Sequence, residues 1–62
     1  MGQWFYDAER SVWELVVYDQ VEVTISDAML QALCARLELS RQRALAWIAT
    51  RPQLPYVKIH AA

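Results

Sequence analysis

The sequence predicts an α+β domain, with antiparallel strands first, two closely spaced helices next and a short strand near the C-terminal end. Three observations carry that expectation. Residues 11 to 26, SVWELVVYDQVEVTIS, are dense in Val, Trp, Tyr, Ile and Thr, the side chains that suit a pleated surface. Residues 27 to 50 hold two runs of apolar side chains at helical spacing, with only Glu38 and Leu39 between the runs before Ser40. One glycine and two prolines in 62 residues leave few breaks between elements.

Taken in order, Trp4, Phe5 and Tyr6 read as a short strand, and DAERS (7 to 11) as the loop that follows. Strands over 12 to 18 and 21 to 25 form a hairpin, because the residues alternate on both sides of Asp19-Gln20. That turn lacks the Asn-Gly or Asp-Gly that a two-residue loop prefers, so a helix over 8 to 18 capped by Asp7 stands as an alternative for the same segment. Ser26 or Asp27 then caps a helix over about 27 to 37, where Leu30, Leu33, Cys34 and Leu37 share a face. Ser40 caps a second helix over about 41 to 50. Its Ala44, Trp47 and Ile48 turn to the core with Leu37 and Val57, while Arg41, Gln42, Arg43 and Ala46 lie elsewhere on the cylinder. The spacing between the helices is that of a helix-turn-helix. Pro52 stops the second helix by lacking an amide donor, Pro55 keeps QLPYVKIH extended, and residues 56 to 60 read as a strand. The chain is read as a single domain over 1–62. It comprises an acidic, aromatic, β-rich segment (1–26), the helix-turn-helix (27–50) and a C-terminal strand or wing remnant (51–62).

Composition narrows the function classes. With 62 residues the domain lies near the size at which one core suffices, too small for a multi-step active site. Hydrophobic residues make up 56% of the chain, above the roughly 45–50% usual for globular domains, so more apolar surface is encoded than a core this small can hide. A homodimer or higher oligomer is the expected consequence. Cys34 is the single cysteine, which excludes an internal disulfide, and with only His60 beside it in the inventory no Cys/His metal site assembles. Cys34 is expected to be a small buried hydrophobe and His60 to be exposed. Glu14 and Glu22 could face each other across the hairpin, but paired carboxylates need a pocket that shifts one of them. No Gly-rich phosphate loop exists, as Gly2 is the only glycine. The reading is therefore of a protein that is not an enzyme, with no catalytic residues, cofactor, metal or small-molecule ligand. The lack of an apolar run of about 18 residues and of a secretory leader argues for a soluble, cytoplasmic protein without a membrane partner.

Net charge of −1 conceals a separation. Residues 1 to 27 carry Asp7, Glu9, Glu14, Asp19, Glu22 and Asp27 against Arg10 alone, while residues 28 to 62 carry Arg36, Arg41, Arg43, Arg51 and Lys58 against Glu38. Such asymmetry hints at a polyanionic partner for the basic half.

In that basic half, LELSRQRALAWI followed by LPYVKI resembles the excisionase and MerR-like winged helix-turn-helix domains. Leu39, Ser40, Arg41, Trp47, Ile48, Leu54, Pro55, Val57, Lys58 and Ile59 match the order of that family's pattern, over residues 28 to 60. Glu38 stands where the family usually has Gly. The resemblance implies a winged-helix-like fold and a small DNA-binding regulator, a transcription factor or recombination directionality factor of a phage or mobile element. It makes the helix at about 41–50 a recognition helix in the major groove of double-stranded DNA. Arg41, Gln42 and Arg43 would read bases from its first turn, and Arg51 and Lys58 would meet phosphates.

A second class of function is kept beside this one. Trp4, Phe5, Tyr6, Trp13 and Tyr18 put five of the seven aromatic rings in the first 18 residues, and aromatics are favoured interface anchors. A small interaction module, an inhibitor or adaptor that docks through this segment, or an oligomer interface built from it, is the alternative.

Overall fold

A computed structural model describes residues 2–50 and 57–60. Strands β1 (Gln3–Asp7), β2 (Val12–Val17) and β3 (Gln20–Ser26) come first, followed by helices α1 (Asp27–Leu37) and α2 (Arg41–Thr50) and a short strand β4 (Lys58–Ile59). All neighbouring strands pair antiparallel in the order β1-β2-β3-β4, so the C-terminal strand returns to the far side of the N-terminal meander. The molecule is an α+β domain with both helices on one face of the sheet.

The first connection is built by Asp7. Its Oδ1 accepts the Glu9 and Arg10 amides at 3.0 and 3.3 Å, and its Oδ2 accepts Arg10 Nε at 2.7 Å. A carboxylate that bonds the backbone two and three residues ahead holds a turn by itself. Asp7 is thus a turn former, and the alternative helix over 8 to 18 is replaced by strands. Arg10 also donates to Glu14 Oε2 at 2.9 Å. Glu14 lies opposite Thr24, while Glu22 is the extra residue of a bulge where the β2–β3 register shifts between Leu15 and Val16. The two glutamates therefore do not face each other.

The β2–β3 turn is Tyr18-Asp19, one residue earlier than the alternation suggested, and both residues have positive φ (50° and 64°). This is the sign pattern of the type I′ turn whose twist matches the flanking strands. No glycine is available to adopt it here, and Tyr and Asp occupy a region that costs an L-residue about 1–2 kcal/mol.

Helix bounds coincide with the sequence expectation. Ser26 caps α1, accepting the Met29 amide at 3.2 Å, and Ser40 accepts the Arg43 amide at 3.2 Å at the start of α2. α1 ends at Glu38, which takes the left-handed conformation (φ 53°), and the Leu39 amide reaches back to the Cys34 carbonyl at 3.1 Å. The tight turn between the helices thus uses a conformation that glycine adopts without strain, carried here by glutamate.

Leu15, Val23 and Ile25 from the sheet meet Leu30 and Leu33 of α1, Ala44, Leu45 and Ile48 of α2, and Val57. Strand pairing sets Trp4, Leu15 and Val23 on the helix-covered face, and puts Phe5, Glu14, Thr24 and Lys58 on the open face. Four side chains depart from their expected places. Leu37 is 39% exposed at the end of α1, Cys34 and Trp47 are half-buried against the core, and Leu45 takes the inward position beside Ile48. A helix face that packs on a sheet is set by the sheet's position, and it rotated toward Leu45 and away from Trp47. His60 is half-buried rather than exposed, because its amide donates to the Glu22 carbonyl at 3.0 Å and its Nε2 lies 2.7 Å from Thr24 Oγ1. Of the expected strand over 56 to 60, the pairing of Lys58 and Ile59 is seen, while Tyr56, Pro52 and Pro55 lie outside the described residues.

Candidate functional site

The start of α2 meets the sheet at one aromatic cluster. Trp13, on the helix-covered face of β2, lies 5.0 Å from the Tyr6 ring at an interplanar angle of 43°. The Arg41 guanidinium carbon lies 5.8 Å from the Trp13 ring centroid, within the range of a cation–π contact. Trp13 Nε1 donates to Asp27 Oδ1 at 2.9 Å, and Asp27 Oδ2 accepts Gln31 Nε2 at 2.7 Å. One indole thereby joins β1, β2, the first turn of α1 and the first turn of α2. The hydrogen bond from Trp13, aided by those from Gln31 and by the nearby Arg41 charge, holds the Asp27 carboxyl below its ordinary range. The Arg10 hydrogen bond does the same for Asp7.

This cluster divides the expected DNA contacts. Arg41, Gln42 and Arg43 are all exposed on the first turn of α2, as the helical spacing requires, but they point to different surroundings. Arg41 is drawn over Trp13, on the side of the helix that faces the sheet. Gln42 lines a shallow groove of about 540 Å³ with Ala46 and Ala49, against Gly2, Trp4, Leu15, Val17 and Glu22. Ala46, Ala49 and Thr50 are exposed with Arg43, so the outward surface of α2 pairs one guanidinium with small side chains. Lys58 is exposed on the open face of the sheet, opposite the helices, and is not gathered with the α2 cations. Arg51 lies outside the described residues.

Charge separation along the sequence is only partly kept in space. Asp27, counted with the acidic half, lies close enough to Arg41 for the guanidinium to stabilise its charge. Sequence spacing gave no sign of the Trp13–Asp27 bond that centres this cluster, because the two residues are 14 positions apart and meet only once β2, β3 and α1 are in place.

The five expected interface aromatics also divide. Trp4 and Trp13 pack against the core, whereas Phe5, Tyr6 and Tyr18 are 52%, 46% and 88% exposed. Among the described residues, no group of three or more His, Cys, Asp and Glu is placed to hold a metal ion, and no helix is long and apolar enough to cross a membrane. Compared with protein-family models, curated proteins and solved structures, the chain matches none.

Proposed function

We propose that the protein is a small DNA-binding regulator that presents α2 to the major groove, in the manner of the winged helix-turn-helix domains its basic half resembles. The observation that supports this most is the outward surface of α2. It has a Ser40-capped N-terminus, Arg43 exposed in the first turn with Ala46 and Thr50 beyond it, and Gln42 exposed at the flank beside the sheet. Arg and Gln have the donor geometry to read guanine and adenine edges, and alanines let a helix sit deep in a groove. α1 braces α2 from behind through Leu30 and Leu33, the support a recognition helix needs. Arg43 is then the principal base-reading cation, and Arg41, held over Trp13, serves the phosphates at the groove edge. A role in transcription or in the direction of recombination, in a phage or mobile element, follows from the family resemblance and the small size.

The test is a binding titration against mixed genomic DNA fragments at two salt concentrations. If Arg41 and Arg51 each neutralise one phosphate, affinity falls by about 12-fold between about 50 and 200 mM salt. Replacing Gln42 and Arg43 by Ala abolishes sequence preference in a folded protein, and Lys58→Ala leaves binding nearly unchanged. No binding at the lower salt removes the proposal.

A second reading, a protein–protein interaction module, is favoured by Tyr18. Its ring is 88% exposed while its backbone sits at φ 50°, so the residue costs folding energy and buries little. Under this reading Tyr18→Asn stabilises the domain and lowers affinity for a purified partner by at least tenfold. Unchanged affinity for that partner removes it.

A further inference from the structure

We propose that two copies of the chain pair β1 to β1, antiparallel about Phe5, so that their two sheets become one continuous sheet. Among the described residues, the two edge strands of the sheet differ in kind. β4, at one edge, is two residues long and carries Lys58, the short and charged form by which sheet edges avoid pairing. β1, at the other, runs five residues as Gln-Trp-Phe-Tyr-Asp, with no Lys, Pro or Gly to blunt it.

The register decides which backbone groups this edge offers. The Asp27 amide donates to the Ser11 carbonyl, so the odd-numbered residues at this end of β2 turn their amides and carbonyls toward β3 and the even-numbered ones toward β1. Val16, Glu14 and Val12 face Gln3, Phe5 and Asp7, which leaves the amides and carbonyls of Trp4 and Tyr6 directed outward. A two-fold axis at Phe5 sets Trp4 of one copy against Tyr6 of the second, in a hydrogen-bonded pair on each side of the axis. Both outward residues of each copy then find partners without any slip.

The side chains suit the same register. On the helix-covered face Trp4 meets Tyr6 of the second copy, and on the open face the two Phe5 rings meet in a non-bonded pair, where side chains lie closest. Phe5 and Tyr6, two of the exposed large hydrophobics, are covered together. Asp7, the single charge of β1, is already paired with Arg10 at 2.7 Å. Its copy lies about 14 Å away in this register, beyond the screening length of about 8 Å at physiological salt. Centring the axis on Tyr6 instead halves that separation, and centring it on Trp4 sets Tyr6 against Gly2 and loses both unlike-ring pairs.

Sedimentation velocity over a concentration series, without DNA, tests the pairing independently of any nucleic-acid role. The wild type is expected to dimerise, and Phe5→Lys to raise the dimer dissociation constant at least tenfold with an unchanged far-ultraviolet circular dichroism spectrum. In a Cys34→Ser background, Phe5→Cys is expected to yield a disulfide-linked dimer on mild oxidation, while Tyr18→Cys, at the far end of the hairpin, does not. A wild type that stays monomeric at every concentration overturns the proposal. So does a dimer that Phe5→Lys leaves intact and Phe5→Cys does not cross-link.

Discussion

Ile48 and Trp47 are adjacent in the chain and unequal in the fold. Ile48 is fully enclosed between the sheet and α1, whereas Trp47 packs against the core and is half-buried. Truncating an enclosed isoleucine removes its transfer energy and leaves a cavity, so Ile48→Ala is expected to cost about 3–4 kcal/mol. Trp47 is only half-buried, so for Trp47→Ala the expected loss is below about 3 kcal/mol. Urea unfolding of the two variants checks the order. Trp13 carries a different kind of weight, as the residue through which Asp27 and Arg41 meet the sheet. Trp13→Phe keeps a ring for Arg41 and removes the donor to Asp27, so the Asp27 carboxyl is expected to titrate at a higher pH in that variant, readable by NMR.

Single residues make the turns and caps on which the elements depend. Ser40 supplies the side-chain acceptor for the Arg43 amide, and Ser40→Ala is expected to cost about 1 kcal/mol, with the loss of helicity concentrated in α2. The hairpin turn shows the opposite case. Tyr18 and Asp19 both hold positive φ, so replacing them with Asn and Gly is expected to raise stability by about 1 kcal/mol in thermal or chemical unfolding. Gly2 flanks β1 where a Cβ would meet Leu15 Cδ1 at 2.7 Å and Val17 Cγ2 at 2.9 Å. A side chain at this position would therefore have to displace Leu15 or Val17. These local features explain why the helices and strands occur where they do, and they are independent of what α2 or β1 binds.

At the scale of the whole molecule, charge links stability to pH. Asp7 and Asp27 both titrate below the usual range, Asp7 through Arg10 and Asp27 through Trp13 and Gln31. A carboxylate with a depressed folded-state pKa stabilises the fold above its unfolded value of about 3.9 and loses that contribution as the pH falls through the folded value. Stability is therefore expected to be flat near neutrality and to decline from about pH 4 downward. Denaturant midpoints at neutral and acid pH measure the decline, and Asp27→Asn should make it shallower. Below this range the protein gains net positive charge just as the Asp27 carboxylate beside Arg41 is neutralised.

The amino-acid order alone determined the α+β class, both helix bounds and the Ser40 cap, and narrowed the first cap to Ser26 or Asp27, because these depend on contacts within a few residues. Helical spacing and a cap need no knowledge of the rest of the chain. It also marked Arg41, Gln42 and Arg43 as one exposed turn. Tertiary structure decided what each of them faces. Arg41 went to Trp13, Gln42 to the groove beside β1, and Arg43 to solvent, while Lys58 was placed on the opposite face of the sheet. Those outcomes rest on strand register and on the rotation of α2 over the sheet. A one-residue slip in register reverses a strand's faces and a one-residue rotation swings a helix face by about 100°, and neither is written in local spacing. The same holds for β1, whose aromatic residues were visible in the sequence but whose place at the sheet edge came only from the strand order.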